Sequence, residues 1–595
     1  MRGLSRCALW LGLAYGLAVV TGSAADKRQQ AAPSGGQSPA APPATVPTAT
    51  PSPASPSVTP GAPTALPSSA PPDPLGEAKA LARKGEFDAA IQKYQQVLQE
   101  RPKSADAYAG LTRVYLKKKD VTQAYETISK GLQVTDSWPV RVALGEVYFR
   151  QGKINDAEKE WVGVINSGHL AARAYLGLAR VRWAIAMNKT AKTMIDKAHE
   201  LDPNDPDIQK AWVSTLRRLE RIQYYESYLA EPNDSDADER GSLQSYLSYL
   251  KERAKQHGRT CRLASKVTAT ETPLVRLLID PTHLRGYGLL VALNGTKTKL
   301  MLDTGAGGIV VNRRVAERAG ISKITETKIG GIGDKGRKNA YIGTADSIRI
   351  GELEFQDCPV EVMESRSVAE EDGLIGANVF EDFLVELDFP GEKLKLSELP
   401  KRPGEGNQPM ALKNEEDDSD DPEVASKTDP AGETGAKKTA SVPPSSGPQD
   451  RYIAPEMQSF SRVFRFGHDL LVPTKIGDGP PKLFLIDTGA LTNAISPAAA
   501  REVTKVQGDP DMIVKGLSGS VKNVYSAHKA VLQFGGLRQE NQDMLSFDTT
   551  SISENSGTEV SGFLGFTTLR FLDIKIDYRD GLVDFKYNLE RLNRY

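Results

Sequence analysis

The feature that most constrains this chain is a short motif that occurs twice, each time at the end of an apolar strand-like segment. Residues 299–306 read KLMLDTGA, and residues 483–490 read LFLIDTGA. One Asp-Thr-Gly is common by chance, but two copies in the same setting predict that a single chain supplies two equivalent carboxylates. Asp303 and Asp487 are therefore candidates for a pair that shares one proton, because two neighbouring carboxylates do not both ionise easily.

The segments around the two motifs repeat the same order of predicted elements. Each has a β-hairpin before the motif, a short strand and helix after it, a glycine-rich turn and a closing hairpin. Each also has an apolar-apolar-Gly element, which ends 73 residues after Asp303 (376 − 303) or 78 residues after Asp487 (565 − 487). These elements are Leu374-Ile375-Gly376 and Phe563-Leu564-Gly565. The repeated order predicts two all-β lobes, at residues 271–399 and 451–595.

This order resembles the lobe of the retropepsin-like aspartic proteases. The resemblance implies an acid-protease fold in which Asp303 and Asp487 form the catalytic dyad, without a metal or a cofactor. It implies that the loops are supported by the residues that follow each Asp, where each Thr hydroxyl bonds across to the opposite loop: Thr304, Gly305, Thr488 and Gly489. It also implies two flaps, for which the candidates are Gly331, Ile332, Gly333, Gly516, Leu517 and Ser518.

Two features depart from the family pattern. The flap candidates have no Tyr or Trp at their tips, so flap closure is expected to rest on the main chain and on small apolar contacts from Ile332 and Leu517. The residues after the motifs also differ, with Gly307-Gly308 in the first lobe and Leu491-Thr492 in the second. The two halves of the site are therefore not expected to be symmetric.

Residues 75–230 have a helical pattern that repeats. GEFDAA at residue 85 is followed by KDVTQA at residue 119 and GKINDA at residue 152, at offsets of 34 and 33 (119 − 85 and 152 − 119), and a weaker copy covers residues 189–203. This period resembles the tetratricopeptide repeat. The resemblance implies a helical solenoid whose concave face docks a protein or peptide partner; a spacer or a self-association platform is the alternative.

The remaining segments connect or export the folded parts. Residues 1–25 read as a signal peptide, with an uncleaved membrane anchor as the alternative, and residues 26–74 are a disordered Pro/Ala/Ser-rich tether. Residues 231–270 are a helical connector, and residues 400–450 are an acidic disordered linker. No later segment is long enough for a stable membrane span, so we expect an exported protein, either periplasmic or secreted.

Composition excludes one class of partner and leaves the cysteines open. The 75 basic and 76 acidic residues nearly balance, so no nucleic-acid partner is expected. After the signal peptide two cysteines remain, Cys261 and Cys358, which either form one disulfide or stay as separate thiols.

Together these patterns predict a multidomain α plus β protein, with an α-helical solenoid before two all-β lobes. The predicted function is that of an exported aspartic endopeptidase that hydrolyses a peptide or protein substrate. Two alternatives stay open: lobes that pair between chains in a homodimer, and a scaffold that binds peptides without cutting them. The sequence does not say which of Asp303 and Asp487 carries the shared proton.

Overall fold

The structure is a computed structural model that describes residues 73–230, 237–255, 261–405 and 449–587, except 334, 366, 367, 370, 510 and 511. It also describes the backbone of one strand, Leu17–Val19 (β1), which pairs antiparallel with Val514–Gly516. The rest of the predicted signal peptide, the tether up to residue 72 and most of the acidic linker lie outside the described residues, and α1 begins within the last two residues predicted for the tether.

The helical part comprises α1 to α11. Their bounds are α1 Pro74–Arg83, α2 Phe87–Glu100, α3 Ala105–Lys117, α4 Val121–Val134, α5 Trp138–Arg150, α6 Ile154–Asn166, α7 Ala172–Ala184, α8 Asn188–Leu201, α9 Pro206–Ser214, α10 Arg218–Ala230 and α11 Ala237–Ala254. Polar side chains start several of them; the Ser104 and Asp120 side chains accept hydrogen bonds from the main-chain N–H groups of Ala107 and Gln123.

The predicted repeat is confirmed by the backbone between the two helices of each pair. There the chain turns through a left-handed residue at Gly85, Lys119, Gly152 and Ala186, with φ of 77°, 67°, 73° and 62°. The intervals are 34, 33 and 34 residues (119 − 85, 152 − 119 and 186 − 152). Gly is favoured at such a turn because it has no Cβ to clash, so the repeat was easiest to see where Gly is present.

The first lobe contains β2 to β13, the helix α12 and one 3-10 turn. Their bounds are β2 Arg262–Leu263, β3 Thr270–Pro273, β4 Val275–Asp280, β5 His283–Leu293, β6 Thr296–Asp303, β7 Ile309–Asn312, α12 Arg313–Ala319, β8 Ser322–Ile329, β9 Lys338–Ile350, β10 Leu353–Met363, β11 Gly373–Gly376, the turn Ala377–Phe380, β12 Phe383–Asp388 and β13 Lys393–Glu398.

The second lobe repeats the arrangement with β14 to β26. Their bounds are a 3-10 turn Pro455–Met457, β14 Ser461–Arg462, β15 Phe464–Phe466, β16 Asp469–Ile476, β17 Lys482–Ile486, β18 Ala494–Ile495, α13 Pro497–Arg501, β19 Val506–Gly508, β20 Val514–Gly516, β21 Gly519–Val521, β22 Val524–Phe534, β23 Leu537–Phe547, α14 Thr550–Ser556, β24 Gly562–Leu564, α15 Phe566–Leu569, β25 Leu572–Asp577 and β26 Leu582–Tyr587.

One sheet joins the two lobes within the chain. Its strand order is β14-β26-β25-β12-β13-β3, so that the closing hairpins of both lobes lie side by side. β12 pairs antiparallel with β25, with Val385 opposite Ile576. One continuous apolar core extends beneath this sheet and includes the fully buried Leu387 and Ile574. The predicted fold class, a helical solenoid before two all-β lobes, is confirmed.

The start of the first lobe differs from the prediction. β2 lies inside residues 231–270, which were expected to be a helical connector, but helix α11 ends at Ala254. β2 pairs antiparallel with β10, with Leu263 opposite Phe355, and a disulfide joins Cys261 to Cys358 across the same two segments. The conformation here depends on a partner 97 residues away, which a local helical pattern does not report.

The helical part packs against both lobes. Apolar side chains from α5, α6 and α7 share a buried cluster with Phe466, Leu471 and Phe563 of the second lobe. At the other end, Thr325 of β8 donates its hydroxyl hydrogen to the carbonyl of Ser245 in α11, at 3.3 Å. Within the described ranges, no helix is long and apolar enough to cross a membrane.

Candidate active site

The two Asp-Thr-Gly loops meet at the junction of the lobes. Asp303 ends β6 and Asp487 directly follows β17, and both side chains are fully buried. The apolar-apolar-Gly elements are the strands next to them: β11 runs parallel to β6 with Gly376 beside Asp303, and β24 runs parallel to β17. The structure therefore brings together the residues that the sequence singled out in each lobe.

The two threonines bind the loops to each other reciprocally. The Thr304 hydroxyl donates to the carbonyl of Ile486 at 2.7 Å, and the Thr488 hydroxyl donates to the carbonyl of Leu302 at 2.9 Å. Each hydroxyl oxygen also accepts a hydrogen bond from the main-chain N–H of the opposite threonine, at 3.0 Å. Four hydrogen bonds across the lobe junction thus set the relative position of the two loops.

The glycines allow each carboxyl group to lie against the opposite loop. A Cβ atom added at Gly305 would lie 2.7 Å from Cγ of Asp487, and one added at Gly489 would lie 2.4 Å from Cγ of Asp303. Contacts this short are not tolerated, so a side chain at either position would push the carboxyl groups out of place. The close approach explains why Gly follows Asp-Thr in both loops.

The two carboxyl groups have different hydrogen bonds. Oδ1 of Asp303 accepts one from the N–H of Gly305 at 3.0 Å, whereas Oδ1 of Asp487 accepts two, from Gly489 and Ala490, at 2.9 Å each. Among the described residues, the Oδ2 atom of each Asp is buried and has no partner outside the pair, while a hydrogen bond between the two carboxyl groups raises the pKa of Asp303 and lowers that of Asp487. The main chain therefore stabilises a negative charge on Asp487 more than on Asp303.

The pKa values follow from burial and from these hydrogen bonds. Burial raises the pKa of Asp303 well above its usual value of 3.8, and the neighbouring charge of Asp487 raises it further. Burial also raises the pKa of Asp487, to about 6, against the opposing effect of the hydrogen bonds from Ala490 and Gly489. Asp303 is thus the better candidate for the protonated member of the pair.

The two flap candidates contact each other. The N–H of Ser518 donates to the carbonyl of Ile332 at 3.0 Å, and the N–H of Gly331 donates to the Ser518 hydroxyl at 2.9 Å. A Cβ atom at Gly333 would lie 2.4 Å from the main-chain nitrogen of Gly519. Ile332 of the first lobe packs in the buried cluster that contains Phe466 and Phe563 of the second lobe. Leu517 of the second lobe packs in a buried cluster of first-lobe residues. Each flap tip therefore contacts the other lobe.

Sequence reasoning missed a polar pair beside the dyad. His468 ends the turn between β15 and β16 and Asp469 begins β16, with Nε2 of His468 3.2 Å from Oδ1 of Asp469. The His468 ring explains one departure after the motif, since a Cβ at Gly307 would lie 2.7 Å from its Nδ1 atom. One comparison would have found the pair. When the two lobes are aligned on the register of the hairpins before their Asp-Thr-Gly motifs, the first lobe has Arg285 at the position where the second has His468.

A large cavity separates the helical part from the lobes. We call it the groove: it measures about 2310 Å³ and is walled mainly by α1, α3, α5, α7 and α9 on one side and by residues of both lobes on the other. Its lining has 17 Lys or Arg and 10 Asp or Glu residues, a formal charge of +7 (17 − 10). Among the described residues, no group of three or more His, Cys, Asp or Glu side chains is placed to hold a metal ion.

Family models match segments of both lobes and of the helical part. The aspartyl protease family model matches residues 289–379 and 472–568, and a tetratricopeptide repeat model matches residues 81–138. One segment in each lobe therefore matches the aspartyl protease family, and the two are preceded by a segment that matches tetratricopeptide repeats.

Among curated proteins, the chain is 30% identical to DNA damage-inducible protein 1 of Neurospora crassa over 162 residues and 29% identical to that of Chaetomium globosum over 161 residues. Each match covers 27% of this chain and 34% of the relative, so the chain spans about a third of the length of these relatives.

Two solved structures are similar to parts of the chain. One is a retropepsin-like aspartic protease from Rickettsia conorii, at 21% identity, 22% of this chain, 90% of that chain and a TM-score of 0.17. The other is a thermophilic tetratricopeptide repeat protein from Thermus thermophilus, at 22% identity, 30% of this chain, 97% of that chain and a TM-score of 0.25.

Proposed function

We propose that this protein is an exported aspartic endopeptidase whose dyad is Asp303 and Asp487. The observation that carries the proposal is the pair of buried carboxyl groups at the lobe junction, each lying against the glycine of the opposite loop. Buried carboxyl groups with raised pKa values destabilise a fold when they ionise, and they are typical of acid–base catalysis.

The geometry supports different roles for the two carboxyl groups. Ionised Asp487 takes a proton from a water molecule, and the water oxygen bonds to the carbonyl carbon of the peptide bond. Protonated Asp303 donates its proton to the carbonyl oxygen, which gives a neutral tetrahedral intermediate. Asp487 then gives the proton that it took from water to the amide nitrogen, and the C–N bond breaks as one hydroxyl of the intermediate returns a proton to Asp303 and becomes the carboxyl C=O. The flap contacts at Ile332 and Ser518 support closure over the substrate.

The pH dependence of peptide hydrolysis tests this proposal. We expect kcat/KM of the wild type to rise with pH through a midpoint of about 6, as Asp487 loses its proton. It should fall again at higher pH, when Asp303 loses its proton. Fluorogenic peptides assayed from about pH 3 to pH 10 give the profile. Highest activity near pH 3 would contradict the raised pKa of Asp487, and no hydrolysis at any pH would favour the peptide-binding scaffold.

We also propose export through the predicted signal peptide at residues 1–25. The Cys261–Cys358 disulfide supports it, because disulfides persist in oxidising compartments and are rare in the cytosol. The expected result is a mature chain that begins at Asp26, and so lacks β1, and that is recovered outside the cytoplasm. An intact N-terminus in the cytoplasm, with both thiols reduced, would contradict it.

The groove supports a docking role for the repeats. We propose that it binds an acidic stretch of the protein substrate, since its lining carries a net formal charge of +7 (17 − 10). Lys79 of α1 and Lys210 of α9 are exposed lining residues at separate ends of the inner face. Such a site adds affinity away from the scissile bond.

Charge reversal at both positions, Lys79→Glu with Lys210→Glu, tests the docking role. We expect KM for an acidic protein substrate to rise by about 3- to 10-fold at low salt, with kcat unchanged, because uniform binding is lost. Hydrolysis of a short neutral peptide should not change. Lys103→Glu, at an exposed position outside the groove, is the matched control. Equal KM values for all three proteins would exclude docking at these residues.

A further inference from the structure

We propose that His468 and Asp469 are positioning residues for the dyad, and that the helical domain holds them in place through α14. This inference rests on the proposed function. It makes the repeats part of the support of the active site as well as a surface for docking.

The geometry of the pair connects the second lobe to the loop of the first. Asp469 begins β16 and is buried; its Oδ2 atom accepts a hydrogen bond from the Ser556 hydroxyl at 3.1 Å. Its Oδ1 atom lies 3.2 Å from Nε2 of His468. The other side of the His468 ring packs against Gly307, four residues after Asp303 (307 − 303), where a Cβ atom would lie 2.7 Å from Nδ1. His468 thus braces the Asp303 loop from the opposite lobe.

The lobes differ at this position. Gly288 lies opposite Met301, two residues before Asp303, and Leu471 lies opposite Leu485, two residues before Asp487. Counting three residues back from Gly288 and Leu471 gives Arg285 in the first lobe and His468 in the second. The cation Arg285 therefore occupies, in the first lobe, the position that His468 occupies in the second. The charges near the two carboxyl groups of the dyad are unequal as a result.

Three charged or titratable groups outside the dyad act on it directly or through a neighbour: Asp469, Arg285 and His468. The charge of Asp469, from β16, raises the pKa of Asp487, and the pKa of Asp303 is lowered by Arg285 from β5. Burial raises the pKa of Asp469, against the opposing effects of His468 and of the hydrogen bond from Ser556. Within the dyad, Asp487 raises the pKa of Asp303. Removing the charge of Asp469 should therefore make Asp487 easier to ionise.

The helical domain contacts α14 on both sides of Ser556. The Arg150 guanidinium donates to the carbonyl of Ser553 at 3.3 Å, and Lys119 forms an ion pair with Glu554 at 2.5 Å. Just after the helix, the Thr558 hydroxyl donates to the carbonyl of Phe149 at 2.6 Å. The helix that supplies the hydrogen bond to Asp469 is thus anchored by α5 and by the turn after α3.

A second contact reaches the β15–β16 turn directly. The ring of Phe149 lies edge-on to the ring of Phe466, with centroids 6.0 Å apart, and Phe466 is two residues before His468. The end of α5 therefore contacts both the turn before the His468–Asp469 pair and helix α14, whose Ser556 donates the hydrogen bond to Asp469. A displacement of α5 would move both supports of Asp469 together.

The replacement Asp469→Asn tests the inference through the pH profile. We expect the acidic limb of kcat/KM to move about 0.5 to 1 pH unit lower, because a negative charge near Asp487 is removed, and kcat to fall several-fold. Ser556→Ala keeps the carboxyl group but removes its hydrogen bond, so it should move the limb in the same direction by less. This second variant carries the test if Asp469→Asn does not fold.

The matched control is another His–Asp pair of the same lobe. Nδ1 of His528 lies 2.5 Å from Oδ1 of Asp543 on the exposed face of the β22–β23 hairpin. Asp543→Asn should therefore leave the pH profile of kcat/KM unchanged. An acidic limb that coincides with the wild type in both Asp469→Asn and Ser556→Ala would overturn the inference and leave the proposed function intact. A wild type without any hydrolysis would instead overturn the proposed function.

Discussion

Replacement of either Asp303 or Asp487 with Asn should reduce peptide hydrolysis by about 10³-fold or more. Asn has nearly the shape of Asp but neither accepts nor donates the transferred proton, and acid–base catalysis contributes roughly 10²- to 10⁴-fold per group. In the proposed mechanism, Asp487→Asn removes the base that activates water, and Asp303→Asn removes the proton donor. The measurement is kcat/KM of each single variant on the same peptide, at the pH at which the wild type is most active.

Loss of activity through unfolding is not expected for these variants. Burial raises the pKa of both Asp residues above the unfolded value of 3.8, so between these values the native state binds more protons than the unfolded state. The free energy of unfolding then falls as pH rises through the raised pKa values, and the ionised pair costs stability at neutral pH. Each Asn variant should unfold at the same temperature as the wild type, or higher, at about pH 7.

A surface aspartate provides the matched control. Asp346 is exposed on β9, and Asp346→Asn should change neither activity nor unfolding temperature. Full activity in either Asp303→Asn or Asp487→Asn would show that the two residues do not act as one dyad. Complete loss in both would exclude the peptide-binding scaffold as the sole function.

Replacement of Thr304 or Thr488 with Val should have the largest effect on stability. Thr304→Val leaves the carbonyl of Ile486 and the N–H of Thr488 without their partner in a buried position. Each unsatisfied buried group costs about 1 to 3 kcal/mol, so the free energy of unfolding should fall by about 2 to 6 kcal/mol. Because these hydrogen bonds align the two loops, kcat should fall as well. Urea unfolding and hydrolysis of the same peptide measure the two effects.

The serine variants separate the hydroxyl group from the rest of the side chain. Thr304→Ser and Thr488→Ser keep the hydroxyl that donates to Ile486 or Leu302 and lose only a methyl group. They should retain most of the activity and lose at most about 1 kcal/mol. If the Val and Ser variants were equally stable, the four hydrogen bonds between the loops would not be what holds the lobes in register.

Much of the site could be predicted from the sequence, because its signals are local. The strand before each Asp, the glycine after each Thr and the apolar-apolar-Gly elements occupy short windows, and the duplication made them recognisable. The flap candidates also lay in one glycine-rich segment per lobe, and the structure brings Ile332 and Ser518 into contact. The helical repeat was visible for the same reason, since its turn residues recur every 33 or 34 residues.

The residues that the sequence did not reveal depend on distant partners. His468 gains its position from Gly307, and Asp469 gains its hydrogen bond from Ser556, 87 residues further along the chain. β2 is a strand because it pairs with β10, although the preceding element, α11, is a helix. None of these contacts has a periodicity or a spacing that a linear pattern would report.

The sequence by itself determined the class of fold, the duplicated carboxyl groups and the repeat period, because each depends on residues that are near one another in the chain. Only the tertiary structure decided that both lobes pair within one chain. It also decided which of the two carboxyl groups accepts more hydrogen bonds that stabilise a negative charge, and that α5 contacts the turn beside the dyad. The physical reason is that hydrogen bonds such as that from Thr304 N–H to the Thr488 hydroxyl join residues 184 positions apart, and burial decides their strength.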